Sequence, residues 1–311
     1  MVMKSVAMAT YNGEKYISEQ MESILRQTVP VQEVCICDDG SSDRTVEIIR
    51  DFIKSNHLEN TWKLFVNDKN IGYASNFIHA VEKTSGELVF FCDQDDIWIS
   101  DRVERMEKIM EGNPDILLLG SEFQPFSESK NARKVPAWEL KQMKHDASLE
   151  RLEFTPKNVF IGCQGCTMCV RRELLNRSLP YWFEGWAYDE FVWKTALCLD
   201  GLYVYHANTL ERRLHEANTS LNKMHTLSVR IKFLEDLYRS HTATRRFLTE
   251  QNGSASAIQL LKKNEKAVQL RIDLLKNKHF RNTVPLALHY RECYHKKRAI
   301  PVEFVMAVKG K

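Results

Sequence analysis

Apolar and polar residues follow two rhythms along the first 120 positions of the chain. Short β-rich apolar runs at 6–9, 34–37, 63–66, 88–92 and 116–119 are bounded by polar clusters and read as strands. Between the first two, Ile17, Met21, Ile24 and Leu25 recur at i, i+4, i+7 and i+8, which sets them on one face of a helix. Further helices fit 45–53, 75–83 and 102–110, with Asp43 and Asp101 near their starts, where an acid meets the positive end of the helix dipole. Strands alternating with amphipathic helices predict an α/β fold, a mostly parallel central sheet flanked by helices.

Beyond residue 120 the rhythm changes. Residues 121–158 are polar with no clear period and read as a loop or lid region. A short apolar segment at 159–170 precedes a helix at 188–199 closed by Gly201, then extended segments at 202–205 and 209–214. From about residue 222 the pattern is helical, including 227–238 and 257–275. The chain thus divides into 1–120, 121–221 and a helical C-terminal region, 222–311.

Charge separates the last part from the rest. Residues 222–311 hold 19 Lys and Arg against 7 Asp and Glu, so they carry +12 while residues 1–221 carry −9. A basic appendage on an acidic body suggests an anionic partner, either lipid headgroups or a phosphorylated acceptor; the plain alternative is a solvated basic helix bundle. No nucleic-acid partner is expected. No apolar run approaches the ~20 residues that cross a bilayer, and no basic stretch followed by an apolar run opens the chain. A cytoplasmic protein is expected, with peripheral attachment to the inner face of the plasma membrane through residues 222–311. The eight cysteines lie mostly in apolar runs, as buried thiols do in a reducing compartment.

In open α/β sheets, ligands bind beyond the C-terminal ends of the strands. Three polar clusters occupy those positions: Thr10-Tyr11-Asn12-Gly13, Asp38-Asp39-Gly40-Ser41-Ser42-Asp43 and Asp93-Gln94-Asp95-Asp96. Three carboxylates within four residues at the end of a buried strand repel one another, and a divalent cation, Mn²⁺ or Mg²⁺, would offset that repulsion while keeping positions open for phosphate oxygens. A helix cap near Ser100 would need only one acid. Alone, 38–43 is an acidic turn; at a strand end, a carboxylate there can accept the N3–H of uracil or thymine. Neither a G-x-G-x-x-G nor a G-x-x-x-x-G-K-[ST] pattern is present, which argues against a dinucleotide oxidoreductase and a P-loop kinase.

Together, Met8-Ala9-Thr10-Tyr11-Asn12-Gly13, Gln27-Thr28, 38–43, Asn70-Ile71-Gly72 and Asp93-Gln94-Asp95-Asp96-Ile97-Trp98 resemble, in order and spacing over residues 3–220, the family 2 glycosyltransferases of the GT-A fold. The Asp-Gln-Asp-Asp-Ile-Trp form is similar to bacterial rhamnosyltransferases and related enzymes of surface polysaccharide assembly. The resemblance implies a nucleotide-sugar-binding half, 1–120, and an acceptor-binding, catalytic half, 121–221. It implies a UDP- or dTDP-sugar donor bound by Thr10, Tyr11, Asn12, Asp39, Asn70, Gly72 and Asp95, with Asp39 on the base and Asp95 near the ribose. It implies Asp96 on the metal that bridges the diphosphate, with Asp93 ligating through water or orienting its neighbours. Asp189, in the acidic pair Asp189-Glu190, stands where the family keeps its catalytic base, positioned to deprotonate a hydroxyl of a glycan or lipid-linked acceptor and to invert the anomeric centre; the plain alternative is an acid in a helix's first turn.

Arg212-Arg213-Leu214-His215-Glu216-Ala217-Asn218 resembles the family's basic segment, with Arg212 and Arg213 on phosphate and His215 on the metal or the diphosphate. Cys163-x-x-Cys166-x-x-Cys169 has a zinc spacing, but a tetrahedral site needs a fourth ligand and no second Cys-x-x-Cys lies elsewhere, so zinc is not expected. The alternatives are a sugar-phosphate nucleotidyltransferase, against which the loop after the first strand lacks basic character, and a nucleotide-sugar-binding module without turnover.

Overall fold

The computed structural model describes residues 2–132, 134–160, 162–216 and 226–310. Its centre is four parallel strands, β1 (Lys4–Thr10), β2 (Glu33–Asp38), β3 (Trp62–Val66) and β4 (Leu88–Asp93), in the order β3-β2-β1-β4. Alternate residues serve opposite faces of this sheet. Val6, Met8, Leu88, Phe90 and Cys92 pack against α1 (Ile17–Leu25), α2 (Thr45–Ser55) and α4 (Arg102–Gly112). Ala7, Val89 and Phe91 pack against α3 (Tyr73–Lys83), α6 (Arg172–Ser178) and α7 (Tyr188–Cys198). Phe90 and Phe91 are both fully buried, each worth about 1.5–3 kcal/mol over exposure, so neither face of β4 can be vacated cheaply.

Past β4 the sheet becomes mixed. β8 (Cys169–Arg171) runs antiparallel between β4 and β6 (Leu118–Ser127), β6 pairs parallel with β9 (Leu202–Leu214), and β5 (Ile97–Trp98) and β7 (Leu149–Arg151) lie antiparallel to β9. The segments expected at 202–205 and 209–214 are one strand. A register shift opposite Ser121, Glu122 and Phe123 absorbs the residues between them, and it also hides the period of β6.

The expected irregular region 121–158 is therefore partly ordered: β6 runs into it, a helical turn α5 (Ala137–Leu140) follows, and β7 closes it. Its polar residues are pinned. Buried Glu122 accepts from the backbone N–H groups of Lys144 and His145 at 2.6 and 3.0 Å and pairs with the Nδ1 atoms of His206 and His145, both at 2.8 Å.

In the C-terminal part, α8 (Leu227–Glu250) and α9 (Ala255–Asn277) meet around Leu234, Leu237, Val268, Leu274 and Leu275, with α10 (Thr283–Leu288) and α11 (Ala299–Lys309) behind them. α8 seats on α7, where the Lys194 ammonium donates to Ser240 Oγ at 3.1 Å. Among the described residues, no helix is long and apolar enough to cross a membrane.

Candidate active site

The loops that leave the C-terminal ends of β1 to β4 are stitched to one another. Thr10 Oγ1 donates to Asp38 Oδ2 at 2.8 Å, and Ser41 donates to the same carboxylate through its N–H and its hydroxyl. Asn12 takes the left-handed conformation (φ 48°), from which its N–H donates to Ser41 Oγ and its Oδ1 accepts from Ser42 N. Gln94 clamps Tyr11 from the other side, accepting from its N–H at 2.8 Å and donating to its C=O at 3.0 Å. Tyr11 is thereby held with its side chain exposed, whereas Thr10 is turned inward.

Asp39 is buried and saturated from one side. Its carboxylate accepts from Asn67 Nδ2 (3.0 Å), Ile71 N (2.8 Å) and Gly72 N (2.9 Å), and Asn70 Oδ1 also accepts from Gly72 N. Gly72 sits at φ 88°, which a side chain would resist, and it leads into α3. Asn70 and Gly72 thus form the turn that Asp39 holds against the end of β2. Behind it, buried Asn76 donates to Cys37 O at 2.7 Å and accepts from Asn67.

Asp93, Asp95 and Asp96 follow β4 directly, and the structure separates their partners. Asp96 is buried; Oδ1 accepts from Arg213 N at 3.1 Å, and Oδ2 has no hydrogen-bond partner among the described residues. Asp93, Asp96 and Cys166 bring ligand atoms within 4.8 Å of one another. Burial first, and then the charge of Asp95, pushes the Asp93 carboxyl up to about 7 and that of Asp96 well above the ordinary range. Two carboxylates this desolvated, one with an orphaned oxygen, fit a hard divalent cation, which would return both to their charged form.

His215 does not join that group. Its Nε2 lies 2.7 Å from Asp95 Oδ2, and its ring lies 5.0 Å from that of Tyr16. Arg213 is committed elsewhere: nearly buried, it pairs with Glu19 and Glu128, donates to Asp95 O at 2.9 Å and lies between the rings of Tyr16 and Phe126. A buried guanidinium needs such partners, and through Glu19 Arg213 fastens β9 to α1. Arg212, over the Phe123 ring and 3.9 Å from Glu139, is a cation whose field reaches Asp93, Asp96 and Asp189. Ala217 and Asn218, the end of that basic motif, lie outside the described residues.

Asp189 stands in the first turn of α7, partly buried, its Oδ1 accepting from Glu190 N at 2.8 Å. Burial pushes its carboxyl up to about 6. Glu190 is occupied by Lys194, which leaves Asp189 as the acid of the pair turned to the site. The preceding Tyr188 ties α7 to β4: its phenol donates to Asp93 Oδ1 at 3.4 Å, and its ring stacks on Phe77 at 3.8 Å. Gly165 lies against this ring, where a Cβ would collide with it.

Local sequence does not mark Cys166, Tyr188 or Gln94 as parts of the site. Gln94 lay inside the acidic motif and Tyr188 next to Asp189, but nothing local ties either one to its partner. Cys166 stands in a cysteine run with zinc spacing, whereas the fold sets it beside two carboxylates.

Residues 5–178 match the family model described as Glycosyl transferase family 2. The chain is 28% identical over 242 residues, 77% of this chain and 88% of the relative, to the UDP-Glc:alpha-D-GlcNAc-diphosphoundecaprenol beta-1,3-glucosyltransferase WfgD of Escherichia coli. Against some other curated relatives the match spans about half of their length. Among solved structures, S. aureus TarS 1-349 in complex with UDP-GlcNAc superposes with a TM-score of 0.66 at 17% identity, covering 99% of this chain and 92% of that one. The mannosyltransferase PcManGT of Pyrobaculum calidifontis, in complex with GDP-Man and Mn²⁺, gives a TM-score of 0.53 at 19% identity over 100% of this chain and 88% of that one. At these identities the structural likeness speaks for the GT-A fold.

Proposed function

The chain belongs to glycosyl transferase family 2, and from that premise we propose that it moves a sugar from a UDP- or dTDP-sugar to a hydroxyl of a lipid-linked glycan, inverting the anomeric centre, in surface polysaccharide synthesis. The observation that carries this reading is the pair of carboxylates, half-buried Asp93 and buried Asp96, the latter with an oxygen that has no partner among the described residues, joined through Tyr188 to the helix that bears Asp189.

Asp39 has one lone-pair position left after its three N–H donors and would spend it on the N3–H of the base, beside the exposed ring of Tyr11. Asp95, oriented by His215, would take the ribose. Asp93 and Asp96 would hold Mn²⁺ or Mg²⁺, which supplies positive charge to the diphosphate, and Arg212 adds to that field.

Asp189 would accept the acceptor's hydroxyl proton. As it does so, the acceptor oxygen bonds to the anomeric carbon from the face opposite the leaving group, and the anomeric C–O bond breaks with its electrons on the nucleoside diphosphate. A carboxyl titrating near 6 is charged at neutral pH yet more basic than an ordinary one. The eight buried, free thiols favour a cytoplasmic location.

The test is nucleotide diphosphate release from UDP-glucose, UDP-galactose, UDP-N-acetylglucosamine and dTDP-rhamnose, with Mn²⁺ or Mg²⁺ and with EDTA. Metal-dependent turnover of one donor is expected. Absence of metal-assisted binding for every donor would defeat the reading.

A further inference from the structure

α11 is built inside out. Its one carboxylate, Glu303, is fully buried and ion-paired with Arg271 and Arg230, and Ala307 faces inward beside it. Phe304, Val305 and Val308 point to solvent instead, with Val308 56% exposed. A helix on the surface of a water-soluble domain ordinarily does the reverse. The same holds next door: Phe280, Val284 and Leu288 are exposed at a four-residue spacing, Leu288 at 69%. The rings of Phe280 and Phe304 lie 5.7 Å apart, which joins the two helices into one apolar ridge.

Cations border that ridge. Lys278 and Arg281 flank Phe280, the run Lys296-Lys297-Arg298 enters α11, and Lys309 ends it, all exposed. None of these six forms an ion pair among the described residues. From 278 to 310 the only acids are Glu303, which is buried, and Glu292, which is paired with Lys263. Their charge is therefore presented to whatever meets the ridge.

We propose that the α10–α11 ridge docks on an anionic lipid bilayer, with Phe280, Val284, Leu288, Phe304, Val305 and Val308 entering the headgroup–acyl boundary and the basic border lying on the lipid phosphates. Apolar side chains ringed by cations match that surface, whereas a second copy of the chain would bring two basic borders together. The basic border also reaches the segment that pairs with Arg212. The Lys296 ammonium lies 5.4 Å from the Trp138 ring, His295 meets the same ring edge-on, and the next residue, Glu139, faces Arg212. The proposal rests on the lipid-linked acceptor only for its purpose; the docking stands without it.

The full chain is sedimented with vesicles of phosphatidylcholine alone and of equal parts phosphatidylcholine and phosphatidylglycerol, at low and high salt. UDP binding with Mn²⁺ is measured on the same preparations. Binding to the anionic vesicles, weakened by salt, is expected. At roughly fivefold per charge, K297A/R298A/K309A should weaken it on the order of a hundredfold, and V305S/V308S by roughly tenfold or more, both with UDP binding unchanged. Equal binding to neutral vesicles, or no loss in either variant, would overturn the proposal, as would a V305S/V308S protein that loses self-association while its vesicle binding is unaltered. Failure of UDP binding with vesicle binding intact would instead count against the transferase reading.

Discussion

Replacing Asp189 with Asn should slow the protein and stabilise it at the same time. Asp189 keeps its raised pKa, about 6 against an ordinary 3.8, because burial penalises its charge. A carboxyl raised in this way favours the folded state when protonated, so its contribution is fully present below pH 3.8 and is lost as pH rises through about 6. At pH 7.5 the charged Asp189 therefore opposes folding by up to about 3 kcal/mol, at 1.36 kcal/mol per pKa unit. Asn removes that charge and retains an oxygen to accept from Glu190 N. Urea unfolding in EDTA should show the gain at pH 7.5 and little of it at pH 4, and the melting temperature at pH 7.5 should rise by about 4–5 °C if unfolding is cooperative.

The rate should move the other way. A positioned general base contributes roughly 10²- to 10⁴-fold, and Asp189→Asn should lose that factor in kcat with the donor KM little changed. In the wild type, kcat/KM should fall on the acid side with an apparent pKa near 6, about tenfold between pH 7 and pH 5. A variant that transfers sugar within a few-fold of wild type would refute the assignment. Lost activity with lost stability would instead place Asp189 among the structural acids of helix first turns.

Three further outcomes follow from the same geometry. Asp96→Asn should abolish the thermal stabilisation that Mn²⁺ confers on the wild type, about 2.7 kcal/mol at a hundredfold excess over Kd, as read by thermal shift. Asp39→Asn exchanges an acceptor for a donor against either Gly72 N or the Asn67 and Ile71 donors; it should cost about 1.5–3 kcal/mol in urea unfolding and raise the donor KM more than it lowers kcat. Gly165→Ala should displace the Tyr188 ring from Asp93, destabilise the fold by about 1–3 kcal/mol and lower kcat at least severalfold, measured by donor hydrolysis; unchanged kinetics would show that the Tyr188 contact is dispensable.

Local pattern was enough for the parallel half. The runs at 34–37 and 88–92 are buried on both faces, which made them legible as strands, and the polar clusters after them lie at the strand ends because that is where the chain leaves the sheet. The helix at 188–199 and its acidic start were legible for the same reason: α7 buries Tyr188, Phe191, Val192 and Thr195 at i, i+3, i+4 and i+7. The continuation of β6 beyond Leu119 was not, because its register shift breaks the period of two, and its buried Glu122 reads as a surface residue until His206 and His145 are set against it.

Composition and order along the chain determined the α/β class, the converging loops and the acidic cluster, since each depends on residues near one another in sequence. Only the tertiary structure decided what each charge in that cluster does. Asp93 and Asp96 gather beside Cys166, Asp95 turns to His215, Arg213 pairs with glutamates from two other segments, and Arg212, paired with Glu139, extends its field to the carboxylates. Burial and pairing across about 70 to nearly 200 residues of chain set the energy of a charged group, and no window of sequence contains those partners.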